Sequence, residues 1–303
     1  NIYLADYANG LVRKIDAFTG EISTVVGKDT SLTIDDGDAA LAVNAICFPY
    51  SLAVDSQDNL LIADNRDNKS VGSRIRKVNI QTGIITTIAG NKIAFDSGDN
   101  GPALNAGFTF IFKMVVDIKD NIYVFTSSPN LRRIDSNTGV VNLLKSDFSG
   151  FSMTTDKSGN VFFAAGFNNL VINQINPSTG EITRVGGNGQ DVVSGDGGLF
   201  KDAGLGRVQS LGFDNSGNLF ILTFDPDNNI MKVRRVDAQT KIITPVAGND
   251  SKSDEYSGDG SIALNAGLSR STGLITDKQG NIFIVVNDLI AFNSVRFVKL
   301  AAK

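Results

Sequence analysis

The chain has 303 residues, 42% of them hydrophobic and 20% charged, with a net charge of -4 and no histidine. This is the balance of a folded globular protein; its negative field repels phosphate backbones, which excludes nucleic acid as an expected partner, and no apolar run approaches the roughly 20 residues of a membrane span. Without imidazole, neither a Ser/His/Asp nor a Cys/His mechanism nor a histidine-held metal can be assembled.

The sequence opens at Asn1 on "NIYLAD", a strand, with no initiating methionine, so the segment is expected to belong to a longer protein with neighbouring domains. The lone cysteine, Cys47, lies in the apolar run "AICFPYSLAV" and is expected to be a buried, inert thiol. Along the chain one pattern recurs: Asp, two variable residues, Asp or Gly, then Asn. It stands at Asp55 to Asn59, Asp117 to Asn121, Asp156 to Asn160, Asp214 to Asn218 and Asp277 to Asn281, and Asn1 reads as the last letter of a sixth copy. Short apolar segments flank each copy, as in "SLAVD" before and "NLLIAD" after the first, so each reads as a hairpin. In these turns the Asp is expected to accept bonds from the backbone two residues on and the Asn to take a left-handed φ, a structural duty rather than a ring of carboxylates.

A second hairpin follows the first in each unit. "IDAFTGEISTVVG", "VNIQTGIITTIAG", "IDSNTGVVNLLKS", "INPSTGEITRVGG" and "VDAQTKIITPVAG" read as strand, tight turn around Thr-Gly, strand. The last has Lys241 in place of Gly, so its turn is expected to lack a positive φ.

Two hairpins make four short antiparallel strands, a to d, and the Asn anchors from Asn59 to Asn281 are spaced 62, 39, 58 and 63 residues apart. Units of about 40 residues with four strands mark a β-propeller, the longer ones carrying insertions. The expected fold is all-β: one six-bladed β-propeller domain of four-stranded antiparallel blades over residues 1–303. The blade units run at about 1–27, 48–90, 110–146, 150–187, 207–248 and 270–300, the first lacking strand a and the last strand d. The period-2 alternation is imperfect; in "RIRKV", Ile75 and Val78 do not share parity.

Between blades an acidic loop repeats: "IDDGDAALAVNA" (34–45), "SGDNGPALNAG" (97–107), "SGDGGLFKDAG" (194–204) and "SGDGSIALNAG" (257–267), while the junction "KSDFSG" lacks it. Four copies argue for a spacer. Asp38, Asp99, Asp196 or Asp259 would cap a single helical turn, with Pro102 in the first turn of its copy, Ala and Leu packed on the blade and a terminal Gly as the stop. The competing reading is calcium: "DEYSGDGS" offers Asp254 and Asp259 but no closing Glu. No other cofactor is expected.

The succession "NLLIAD…RIRKVNIQTGIITTIAG…DSGDNGPALNAG" resembles the NHL repeat family of six-bladed propellers, in the variety whose blades are joined by "SGDGGPA" loops, and the resemblance covers essentially the whole chain. It implies a non-enzymatic recognition or scaffold domain of an extracellular or cell-surface protein, binding a protein, peptide or glycan. Six-bladed relatives similar to gluconolactonases hold a divalent ion over the channel with Glu, Asp and Asn, so a metal-dependent lactonase or lyase is the alternative. Against it, Glu21, Glu181 and Glu255 fall in turns or outer-strand starts. RNA binding, known in some members, asks for a basic face; "RIRK" (74–77), "LRR" (131–133) and "KVRR" (232–235) fall on c strands and read as a solvated outer edge.

In a propeller the a strands line the channel, and function is sought where equivalent positions differ. Five residues before each turn Asp stand Tyr50, Phe112, Phe151, Gln209 and Thr272, followed by Ser51, Lys113, Ser152, Ser210 and Gly273, with Arg207 and Arg270 nearby. Tyr50, Phe112, Lys113, Phe151, Arg207, Gln209 and Arg270 are therefore the candidate ligand-binding residues, aromatic faces beside polar and cationic groups. The plainer reading is that the aromatic rings pack between blades. No catalytic residue is assigned.

Overall fold

A computed structural model describes residues 1–28, 37–65, 71–147, 150, 152–165, 170–250, 257–268, 271–277, 280–286 and 294–299. The fold is a six-bladed β-propeller of antiparallel blades, its strands grouped in two compact units, Asn1–Ser149 and Gly150–Lys303.

In the first unit, blade 1 is β1 (Ile2–Asp6), β2 (Leu11–Ile15) and β3 (Ile22–Val26). Blade 2 comprises β4 (Ala40–Leu41), β5 (Pro49–Val54), β6 (Leu60–Asp64), β7 (Arg74–Val78) and β8 (Ile84–Ala89). Blade 3 comprises β9 (Gly101–Pro102), β10 (Ile111–Val116), β11 (Ile122–Thr126), β12 (Leu131–Ile134) and β13 (Val140–Lys145). In the second unit, blade 4 is β14 (Ser152–Thr155), β15 (Val161–Ala165), β16 (Val171–Ile175) and β17 (Ile182–Gly186). Blade 5 is β18 (Arg207–Phe213), β19 (Leu219–Asp225), β20 (Ile230–Val236) and β21 (Ile243–Ala247), and blade 6 is β22 (Ser271–Thr276), β23 (Ile282–Val286) and β24 (Ser294–Val298).

Blades 1 and 6 have three strands, as expected, and blades 4 and 5 have four. Blades 2 and 3 depart by gaining a fifth, because the linker runs antiparallel to the outer strand: Ala40 pairs with Ile85, and Pro102 with Val140. A proline is tolerated there since an edge position need not donate.

The apolar core lies between successive blades. Val12 and Val26 of blade 1 meet Leu60, Ile62, Val78 and Ile85 of blade 2, while Leu61, Ala63 and Ile75 meet Met114, Val124 and Val141 of blade 3. The second unit repeats the arrangement between blades 4 and 5 and between blades 5 and 6. This explains the weak alternation in the sequence: every residue of β6 is buried, and Ile75 and Val78 serve opposite faces of one sheet. A sheet covered on both faces has no polar side to show. Cys47 is buried in the first of these layers, and desolvation pushes its thiol pKa well up, as expected of an inert cysteine.

Both turn families are built from side-chain bonds to the backbone. Asp55 Oδ1 accepts the amides of Gln57 and Asn59, and Asn59 Nδ2 donates back to Asp55; the same circuit closes at Asp117, with Lys119 and Asn121, and at Asp156, with Ser158 and Asn160. The left-handed residue is not the Asn but the one before it, Asp58, Asp120, Gly159, Gly217 or Gly280. The Asn instead uses its carbonyl oxygen to accept an amide from the second hairpin: Ile80 on Asn59, Ser136 on Asn121, Ala238 on Asn218, and Ala17 on Asn1. Asn1 thus does the work of a sixth copy. Lys241 also overturns its expectation: it adopts φ 58° in the place of Gly, with its Nζ donating to the Ala238 carbonyl at 2.6 Å.

In the Thr-Gly turns, backbone amides hold Asp16 (from Phe18 and Thr19), Asp135 (from Thr138) and Asp237 (from Thr240 and Gln239) below the usual carboxylate value. The folded chain therefore binds fewer protons at these sites than the unfolded one. Their stabilisation is complete above the ordinary Asp value of about 3.9 and is lost as pH falls through the lower, folded values. Asn79 and Asn176 fill the same position elsewhere. The triple variant Asp16→Asn/Asp135→Asn/Asp237→Asn should keep the turns and show a flatter fall of the urea midpoint between about pH 5 and pH 2.5; equal slopes would remove these groups from the acid response.

The acidic linkers end in a 3-10 turn, as expected, but their aspartates do not cap it. The N-cap residues are Leu41, Pro102, Leu199 and Ile262, none capping through a side chain, and the turns stop at an extended alanine rather than at glycine. Ala42 and Ala103 are buried, whereas Leu104 and Leu264 are exposed. Each aspartate instead receives a guanidinium from the third long strand of the following blade. Arg132 Nε donates to Asp99 at 2.9 Å, and its terminal nitrogens donate to the Gly107 and Ser97 carbonyls, each at 2.7 Å. Arg234 repeats this on Asp196, Gly204 and Ser194, and Arg296 on Asp259, Gly267 and Ser257. Arg76 binds Asp38 and the Ile46 carbonyl. Arg76, Arg132 and Arg234 are fully buried, which corrects the reading of these basic clusters as a solvated edge. The junction without an acidic loop precedes blade 4, where the equivalent position holds Asn173.

Candidate ligand-binding site

The positions singled out in the sequence share one backbone feature. The ladder skips Tyr50 in β5, Phe112 in β10, Gln209 in β18 and Thr272 in β22, each lying between two paired neighbours. A residue left out of the ladder at a β-bulge is re-aimed away from the strand's alternation, a common device beside binding sites. The next position, by contrast, bolts blades together: Ser51 Oγ accepts the Met114 amide and Ser210 Oγ the Leu274 amide, each at 3.0 Å. Lys113 occupies that position in blade 3 and cannot serve it.

In the first unit the skipped residues form an aromatic row. Tyr50 meets Phe110 edge-on at 4.6 Å and Tyr7 at 5.6 Å, and Phe110 meets Phe112 at 5.3 Å. Tyr50 nonetheless keeps 43% of its surface exposed, so it is not a plain packing residue. The row is supported from below by Asn65, fully buried, whose amide group binds both the N–H and the carbonyl of Ile111. Asp64, also fully buried, accepts the Phe48 amide at 2.8 Å and so fixes the approach to Tyr50. Tyr7, Phe110 and Asn65 escaped the sequence reading because they lie outside the repeated position; the aromatic spacing of "FTFIF" (108–112) was the one available signal.

Beside Phe112, the ammonium of the half-buried Lys113 makes no hydrogen bond or ion pair among the described residues, and desolvation pushes its pKa below the ordinary lysine value. An ammonium held without an acid is costly to the fold and suited to a ligand that brings one. In the second unit Gln209 is half-buried, and Arg207 is paired with Asp191 at 3.1 Å. Phe151, Arg270 and the calcium candidate Asp254 lie outside the described residues, and Asp259 is held by Arg296 at 2.7 Å. Among the described residues no group of three or more His, Cys, Asp and Glu side chains is placed to hold a metal ion, and no helix is long and apolar enough to cross a membrane.

These features define a six-bladed β-propeller with an aromatic and cationic edge on blades 2 and 3. No family model matches the chain, and no curated protein matches it in sequence. Among solved structures it is similar to a structural-genomics protein of unknown function from Bacteroides thetaiotaomicron (17% identity, 93% of this chain, 63% of that chain, TM-score 0.62). It is also similar to an auxiliary nutrient binding protein from the same organism (15% identity, 93% of this chain, 62% of that chain, TM-score 0.61). A gluconolactonase from Xanthomonas campestris is similar at 11% identity, over 93% of this chain and 77% of that chain, with a TM-score of 0.52. The likeness in all three is one of fold, and the chain spans less than two thirds of the length of the first two.

Proposed function

We propose that this chain is a non-enzymatic recognition domain of an extracellular or cell-surface protein, and that it holds a glycan against the aromatic row of blades 2 and 3. The observation that carries the reading is that Tyr50, lifted out of its ladder by a bulge, stays exposed while braced edge-on against Tyr7 and Phe110. Rigid ring faces flanked by a cation suit a polar ring bearing an acidic group. The likeness to a nutrient-binding protein agrees with that role.

Isothermal titration with neutral and acidic oligosaccharides tests it. An acidic oligosaccharide should bind and Tyr50→Ala should weaken it about tenfold or more, near 1.4 kcal/mol. Lys113→Met should abolish the preference for the acidic ligand and at the same time raise the thermal midpoint. The sign follows from the lowered lysine pKa: the unfolded chain binds the proton more readily, so the lysine costs stability below its folded pKa, and the cost disappears as pH rises towards the ordinary value of about 10.4. Binding of peptides but not sugars would replace the ligand class. Lactone turnover dependent on a divalent ion would overturn the recognition role in favour of the lactonase reading.

A further inference from the structure

A second site lies wholly within the second unit, where blades 4 and 5 face one another at the end that carries the turns. It is a cleft of about 560 Å³ floored by Phe162, Phe200 and Phe213 and bordered by Lys157, Lys201 and Lys241. Phe162 and Phe213 meet edge-on across the two blades at 4.8 Å, and the Phe200 ring lies so close over Gly186 that a Cβ there would fall 2.0 Å from it.

Equivalent positions show how the cleft arises. Between blades 2 and 3, Asp120 closes the same place by accepting the backbone amide of Ser56 at 2.8 Å and its hydroxyl at 2.7 Å. In blades 4 and 5 these two positions are Lys157 and Gly217, which cannot form that bridge, and Gly217 lines the opening. The third long strand carries Lys77, Arg133 or Arg235 in blades 2, 3 and 5, but the shorter, uncharged Gln174 in blade 4. The linker departs as well: where the others read Ala-Val, Ala-Leu and Ala-Leu, this one reads Phe200-Lys201, and both residues line the cleft.

The lining carries three lysines against two aspartates, a border of net positive charge. The three lysines are exposed, and none makes an ion pair among the described residues. The two carboxylates at the border are already engaged: Asp156 by Ser158 and Asn160, and Asp237 by Gln239, Thr240 and Arg235. Three ammonium groups without an ion pair among the described residues, of which Lys241 also donates to the Ala238 carbonyl, stand around an aromatic floor in a chain of net negative charge and complement a flat apolar body bearing one anionic group. We propose that this cleft binds a small aromatic carboxylate, independently of the aromatic row in the first unit.

The test is titration of the full chain with 2-naphthoate, with neutral 2-naphthalenemethanol and with dodecanoate. 2-Naphthoate should bind one per chain, about tenfold or more tighter than the neutral alcohol and than dodecanoate. Raising salt should weaken it. Lys157→Gln/Lys201→Gln/Lys241→Gln should cost about tenfold, and Phe200→Ala, which restores the residue that the other linkers carry, should cost as much; Tyr50→Ala should leave binding unchanged. Circular dichroism of each variant separates lost binding from lost fold. Equal affinity for the neutral alcohol, tighter binding of dodecanoate, retention of affinity in the lysine variant, or no binding of 2-naphthoate at its solubility limit would each overturn the proposal.

Discussion

Replacing Arg132 by methionine is expected to lower the free energy of unfolding by about 3–5 kcal/mol, far more than an ordinary surface substitution. The arginine is fully buried, stacked on Phe108 at 4.6 Å, and its fork satisfies the Asp99 carboxylate together with the Gly107 and Ser97 carbonyls. Methionine fills part of the volume but leaves the Asp99 carboxylate without its guanidinium and strips one of two donors from each of the Gly107 and Ser97 carbonyls, which keep only their mutual backbone bonds. The cost therefore comes from what is orphaned, more than from the net worth of the ion pair. Arg132→Lys should recover only a minor part, because an ammonium cannot span the three acceptors that a planar guanidinium reaches. Urea unfolding followed by circular dichroism measures both; a loss below about 1 kcal/mol for the methionine variant would show that these pairs are dispensable.

The second large effect is expected at Asp64. This fully buried carboxylate lies 2.8 Å from Arg74 and 3.6 Å from Arg76, two arginines that are themselves buried, and it also accepts the Phe48 amide. Asp64→Ala removes the carboxylate between two guanidinium groups, leaving Asp38 as an acid close to both, and should cost about 3–5 kcal/mol. Because the lost amide acceptor anchors the entry to β5, oligosaccharide binding at Tyr50 should fall with it. The double variant Asp64→Ala/Arg74→Met should cost clearly less than the sum of the two single changes, since removing both partners of a coupled pair relieves the orphaned charge. Strict additivity would show that the two groups do not act as a pair.

The hairpins were legible because their turns are local: an Asp that binds amides two and four residues on leaves its mark within five letters, and five such marks, with Asn1 as the last letter of a sixth, set the number of blades. The position of Tyr50 and Phe112 was legible as well, since a skipped residue keeps a constant distance from the turn Asp. What stayed hidden was anything settled by partners far along the chain. Arg76, Arg132 and Arg234 sit in strings of basic residues that read as solvent-facing, and their burial depends on aspartates 38, 33 and 38 residues earlier. Lys241 shows the opposite limit, where the two hairpin strands impose a left-handed turn against the residue's own preference. The cleft of the second unit was written in the linker as Phe200-Lys201, but it gained meaning only with Gln174 of blade 4 and Gly217 of blade 5 lining the same opening.

The pairing of each linker aspartate with an arginine of the sheet that follows sets where the molecule can be cut. The exchangeable cassette of this propeller is the linker together with its downstream sheet, for example residues 96–145, and not the sheet alone. A graft joined between Asp99 and Arg132 would carry a guanidinium away from its acid, whereas one joined ahead of Asp96 brings Asp99, Gly107 and Ser97 along with Arg132, and Asp96 along with Thr109, Thr126 and Asn130. Blade 4, which has Asn173 at the arginine position, is the one module that such surgery could insert without a matching linker.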